Sequence, residues 1–122
     1  MKKLFFFLLI LISGPTYSSN WIKSGSLDEG VSYYDKDSVV KNKNIVSYWG
    51  KIDYKKMQLQ NDVAYNSWMT EIRIDCSNRL IYVVTGIPQL NGNNIRQINF
   101  KDNWTSIIPD TPVDSQFKIL CK

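Results

Sequence analysis

The chain of 122 residues contains no histidine. That removes the commonest general base and the commonest zinc ligand together. It has only two cysteines, Cys76 and Cys121. A tetrahedral Cys/His zinc site cannot be assembled from these, and neither a metal nor another cofactor is expected. No Gly-x-Ser-x-Gly elbow appears. Two neighbouring carboxylate pairs, Asp35/Asp37 and Glu71/Asp75, could in principle flank a glycosidic bond. On turns and strand faces such pairs are usually solvated charges, so the chain reads as a non-enzyme. Strong charge of one sign is also missing. Net charge is +4, but Lys2 and Lys3 lie in an expected leader; removing them leaves 13 basic residues against 11 acidic. This balance does not build the concentrated basic face that nucleic acids need.

What the sequence does have begins with a leader pattern. Met1-Lys2-Lys3 is a short positive segment, and Leu4 to Ile12 is an unbroken apolar run. Gly14-Pro15 then breaks any helix, and Thr16 and Ser18 put small residues at the −3 and −1 positions. This is the three-part signature of a secretory signal peptide, with cleavage expected after Ser18. The apolar run is about half as long as a ~30 Å hydrocarbon core requires, so it does not read as a membrane span. No cysteine follows it to accept a lipid. The expected product is a single exported domain, 19–122, in the periplasm, at the cell surface or secreted. In an oxidising compartment two cysteines in so small a domain are expected to pair. The chain-entropy model assigns such a long closed loop about 4 kcal/mol.

The mature chain is mostly β in pattern. Asn20 to Ser24 and Val31 to Asp35 read as short strands joined by a Gly/Ser/Asp turn, and Asp35 as the cap of one helical turn. Ile45 to Lys56 is the longest strand. Val46, Tyr48, Gly50, Ile52 and Tyr54 form its apolar side, with Gly50 leaving a gap for a neighbour's side chain. Lys55 to Ala64 reads as a long polar loop. Tyr65 to Cys76 is a further strand, with Trp68, Thr70, Ile72, Ile74 and Cys76 on one face. Ser77-Asn78 reads as a two-residue hairpin connection and Arg79 to Thr85 as a central strand that Pro88 ends. Asn91-Gly92 is a turn and Asn94 to Phe100 the last strand. Trp104 is expected to anchor the approach to a helix that starts with Thr111 as N-cap and Pro112 at N1. Val113, Phe117 and Leu120/Cys121 share one face of that helix. The strand pattern and the helix pattern therefore turn both cysteines toward the core.

Five groups of residues carry a family resemblance. They are Trp21 to Gly25; Gly30 through Asp35 with Ser38-Val39; Val46 to Trp49 with Asp53-Tyr54; Glu71 to Cys76 with Asn78-Arg79; and Trp104 to Ile107 with Pro109, ahead of Cys121. In this ordered set the chain resembles the surface-adhesin protein E family of small exported bacterial proteins. The resemblance implies an α+β, mostly β fold: an antiparallel sheet of about six strands, with a C-terminal helix held on one face by a disulfide. It also implies adhesion to host extracellular-matrix and serum proteins.

Alternation along the two long strands places Trp49, Lys51, Met69 and Arg73 on the sheet face away from the helix. Aromatic, Met and Arg side chains together are typical of interface cores. The expected partner is a protein or another extracellular macromolecule. Two other classes stay open: a periplasmic inhibitor of a hydrolase such as lysozyme, with Met57 to Ala64 as its blocking loop, and a self-associating envelope protein such as a homodimer.

Overall fold

The computed structural model describes residues 19–101 and 103–122; the expected signal peptide, 1–18, lies outside the described residues. The elements run β1 Trp21–Leu27, β2 Gly30–Asp35, a 3-10 turn Lys36–Ser38, β3 Val40–Asn42, β4 Ile45–Gln60, β5 Val63–Asp75 and β6 Leu80–Leu90. Three short strands follow, β7 Asn93–Asn94, β8 Ile98–Asn99 and β9 Thr105–Ser106, and then helix α1, Pro112–Leu120. Among the described residues all strands join one antiparallel sheet in the order β1-β2-β4-β5-β6-β7, with β3 against β4 and both β8 and β9 against β6.

The core lies between this sheet and α1. Val46 and Tyr48 from β4, Ile72 and Ile74 from β5, and Tyr34 from β2 meet Ile107 and Leu120 there. The apolar alternation of the two long strands thus faces the helix, as their patterns require. Gly50 fills the role expected of it: an added Cβ would come within 3.3 Å of Ile72 Cδ1 and 3.8 Å of Gln116 Nε2. A strand neighbour and the helix share the gap. Gly30 is more constrained, since a Cβ there would lie 2.1 Å from the backbone oxygen of Asp53.

The helix is capped as its sequence indicates. Thr111 Oγ1 accepts from the Asp114 N–H at 3.3 Å, and Pro112 opens the first turn. Its buried side also carries polar groups. The Tyr48 hydroxyl donates to Gln116 Oε1 at 2.5 Å, and Gln116 Nε2 donates to Ser24 Oγ and to the Tyr33 carbonyl. Burial holds the Tyr48 hydroxyl well above the ordinary tyrosine range. The disulfide Cys76–Cys121 ties the end of α1 to the end of β5 across 45 positions, with the Cα atoms 5.5 Å apart. That separation is ordinary for a disulfide.

Several expected boundaries move. Lys55 to Ala64 is not a loop: β4 and β5 continue as a two-stranded arm through Gln58↔Tyr65, Leu59↔Ala64 and Gln60↔Val63. Asn61 and Asp62 make its tight turn, with φ of 52° and 63°, the left-handed pair that suits a hairpin. A bulge between Asp53 and Gln58 absorbs extra residues of β4 where the arm begins. The hairpin after β5 has four connecting residues, because Asp75 pairs with Leu80. Asp75 Oδ1 accepts from the N–H groups of Ser77 and Asn78, and Arg79 takes the left-handed position at φ 55°.

Pro88 does not end β6. Its carbonyl accepts from the Ile95 N–H. The proline nitrogen therefore faces the short outer strands, where β7 and β8 leave a gap, and no ladder bond to β5 is lost. The expected last strand is split into β7 and β8 around that gap. Trp104 is 39% exposed and meets the Tyr82 ring edge-on at 5.6 Å. Ile107, 4% exposed and bonded through its N–H to the Arg79 carbonyl, is the residue that anchors the approach to α1.

Candidate functional site

The sheet face away from α1 gathers the four residues singled out from the sequence. Register puts Lys51 opposite Met69, Trp49 opposite Glu71, and Arg73 between Ser47 and Tyr82. Trp49 and Met69 line an open recess of about 300 Å³ with Trp21, Asp35 and Ile87. Ile87 is only 8% exposed and forms its apolar floor. Arg73 is exposed, and among the described residues no carboxylate pairs with it.

Lys51 is held rather than free. Its Nζ lies 4.6 Å from the centroid of the Trp21 ring and 5.1 Å from that of Tyr33, and 3.7 Å from Asp53 Oδ2. Two ring faces and one carboxylate fix a cation at the middle of the sheet. Register explains the cluster: Tyr33 on β2 pairs with Lys51 on β4, and Trp21 on β1 pairs with Asp35, two residues further along β2 on the same face. Trp21, Tyr33 and Ile87 were not singled out from the sequence. Alternation in β1 and β2 carried the signal for the first two. Ile87 was hidden by the expected end of β6 before Pro88.

The Ser-x-x-Lys spacing Ser38-Val39-Val40-Lys41 resembles a serine–lysine nucleophile pair. Its hydroxyl is engaged: Ser38 Oγ donates to the Asp35 carbonyl at 2.8 Å and accepts from the Trp49 N–H at 2.9 Å. Lys41 lies on the exposed strand β3. Among the described residues no three metal-ligating side chains sit together.

The helix side of the sheet has a second concavity. At about 1.5 Å per residue, the nine residues of α1 span roughly 14 Å. Beyond that cover Ile52, Trp68, Val83 and Phe100 line a groove of about 320 Å³, closed at the helix end by Pro112 and Val113. Trp68 and Phe100 also border a smaller recess of about 140 Å³ that runs to Tyr65, Ile98 and Arg96. Gly86 lets both rings lie against β6; a Cβ there would be 2.7 Å from Trp68 and 2.9 Å from Phe100.

A disulfide-tied antiparallel sheet with one C-terminal helix packed on one face defines a small sheet-and-helix domain whose other face is aromatic and cationic. The chain belongs to the surface-adhesin protein E family, whose model matches residues 21–122. This is a family of surface adhesins and not of enzymes, and it implies export or a place at the cell surface. Among solved structures, Haemophilus influenzae protein E is similar at a TM-score of 0.58 and 19% identity, over 87% of this chain and 86% of that one. Protein E from non-typeable Haemophilus influenzae is similar at a TM-score of 0.60 and 18% identity, over 89% and 80%. At these identities the likeness is one of fold. No curated protein matches the sequence significantly. Among the described residues no helix is long and apolar enough to cross a membrane.

Proposed function

We propose that the chain is an exported adhesin that binds an extracellular protein through the outer sheet face, with Trp49 and Met69 as apolar anchors and Arg73 as the free cation beside them. The observation that supports this reading is the recess over Ile87. It offers an apolar floor and the large side chains of Trp49 and Met69, and the Lys51 cation is held on the same sheet face over the Trp21 ring that borders it. Such central aromatic and arginine anchors carry most of the energy of protein interfaces. Neither a metal nor a catalytic residue is part of the reading.

The test is capture of immobilised extracellular-matrix and serum proteins by the protein and by Trp49→Ala and Arg73→Ala. Each substitution should weaken capture about tenfold or more. Unchanged capture by both variants would sink the outer-face site. Recovery of the native protein from the periplasm alone would remove the physical basis for adhesion.

One observation favours the inhibitor reading as an alternative. The arm at the far end of β4 and β5 exposes Met57 (55%) and Leu59 (73%), which suits insertion into a foreign cleft. A lysozyme-inhibition assay with Leu59→Ser, set beside the capture assay, separates the two readings.

A further inference from the structure

We propose that the groove on the helix side of the sheet is a binding site for a free fatty-acid carboxylate. The apolar chain would lie along Ile52, Trp68, Val83 and Phe100 toward Val113, with the carboxylate at Arg96. This site is on the opposite face from the adhesive surface and does not depend on it.

Three observations carry the assignment. The first is shape and lining. At about 320 Å³ the larger compartment lies within the usual size range of small-molecule pockets, and its walls are aliphatic and aromatic side chains. Two of the polar side chains at its back, Ser32 and Gln116, are already bonded to protein. Ser32 Oγ bonds Ser24 Oγ and the Gly25 carbonyl, and Gln116 is taken up by Tyr48, Ser24 and Tyr33. The Lys51 ammonium is held over the Trp21 and Tyr33 rings of the outer face. A ligand in this compartment meets a mostly apolar surface, with the Thr70 side chain as its further polar neighbour.

The second is adjacency. Trp68 and Phe100 border both compartments, so a chain laid across these two rings reaches from the helix end to the smaller recess of about 140 Å³. This outline fits an extended chain better than a compact ring system.

The third is charge at one end only. Among the described residues Arg96 is the one charged residue lining the smaller recess, and it makes no ion pair. Beside it, Gln60 Oε1 accepts from the Tyr65 hydroxyl at 3.3 Å, which leaves the amide nitrogen of Gln60 as a donor. A guanidinium and an amide N–H on the rim of the smaller recess, with the Trp68 and Phe100 rings beyond them, complement an anionic head on an apolar tail. A cationic or headless amphiphile would lack that pairing.

The test uses the protein purified from expression of the full chain, titrated calorimetrically with octanoate, decanoate and dodecanoate below their micelle concentrations. Binding should saturate at one ligand per chain and tighten about fourfold per added methylene until the groove is full. Dodecanol should bind about tenfold more weakly than dodecanoate, and dodecylammonium more weakly still. Val83→Phe, which fills the channel, should reduce dodecanoate affinity at least tenfold. Arg96→Gln alters an exposed side chain and keeps the test valid if Val83→Phe misfolds; it should weaken dodecanoate and leave dodecanol unchanged. Trp49→Ala on the outer face should alter neither. Affinity that ignores chain length, titrations that never saturate, or equal binding of dodecanoate and dodecylammonium would each overturn the proposal. So would a dimer that Val83→Phe dissociates, since the groove would then belong to a second copy.

Discussion

Three donors converge on the buried carboxylate of Asp114, the acid at N3 of α1. The Asp110 N–H reaches Oδ2 at 3.0 Å, Arg79 pairs with Oδ1, and Lys118 Nζ lies 3.3 Å from Oδ2. Arg79 also lies over the Phe117 ring, 4.9 Å from its centroid, so the turn after β5 grips the helix beside the disulfide. The Asp110 N–H first, then Arg79 and Lys118, hold the Asp114 carboxyl down at about 2, against the upward pull of its burial. A carboxyl depressed in the folded state contributes stability that is complete above its unfolded value near 4. That contribution disappears as pH falls through the folded value. Asp114→Asn should therefore melt below the native protein at pH 6, and the gap should narrow between about pH 4 and pH 2. Thermal melts of both proteins across that range check this, and a gap independent of pH would refute it. Asp75, also lowered, first by the Asn78 side chain, is common to both proteins and cancels. The acid at N3 was legible from the Thr-Pro-x-Asp spacing. Its partner Arg79 was not, because the fold brings it from 35 positions away.

At the scale of elements, the β4–β5 arm is the segment least supported by neighbours. Pairing of β5 with β6 starts at Ser67, so the rungs from Gln58 to Gln60 have partners on one side only. A two-stranded ribbon alone is marginal in water. Amide exchange at Leu59 to Asp62 should accordingly run at least a hundredfold faster than at Tyr48, Ile72 and Ile74, where opening requires loss of the core. Leu59→Ser should change global stability by no more than about 0.5 kcal/mol. Hydrogen-exchange mass spectrometry and urea unfolding give these two values, and equal protection of arm and core would refute the account. The arm was hidden in the sequence because only Met57, Leu59 and Val63 alternate against its polar residues, too short and too polar a run to stand out as paired strands. Pro88 misled for a related reason: which side of a strand its missing N–H faces depends on the neighbours, not on the residue. By contrast, alternation along the two buried strands was enough to place Trp49, Lys51, Met69 and Arg73 on one face. What alternation could not supply was the third dimension. Lys51 is immobilised by Trp21 and Tyr33, which reach it through the register of two other strands.

At the scale of the molecule, one covalent bond divides the two faces into different classes. The Cys76–Cys121 bridge fixes the end of α1, and α1 supplies Pro112 and Val113 to the groove on its own side of the sheet. The outer recess takes all its residues from strands β1, β2, β4 and β6 with β5, and from Ser19. Replacing both cysteines by serine should lower the unfolding free energy by about 4 kcal/mol on the chain-entropy estimate, a large share of the ~5–15 kcal/mol typical of a domain. Denaturant titration of the native and double-serine proteins measures that loss. Under conditions where the variant stays folded, the strand-borne recess should keep its shape, because the β4–β5 and β5–β6 ladders hold it independently of the helix. The groove should not, because its far wall is then secured only by Arg79–Asp114 and the buried contacts of α1. Capture through Trp49 and Arg73 should therefore persist in the double-serine variant while dodecanoate affinity falls. Loss of both together would mean that the sheet itself depends on the bridge, and that the two faces are not separable.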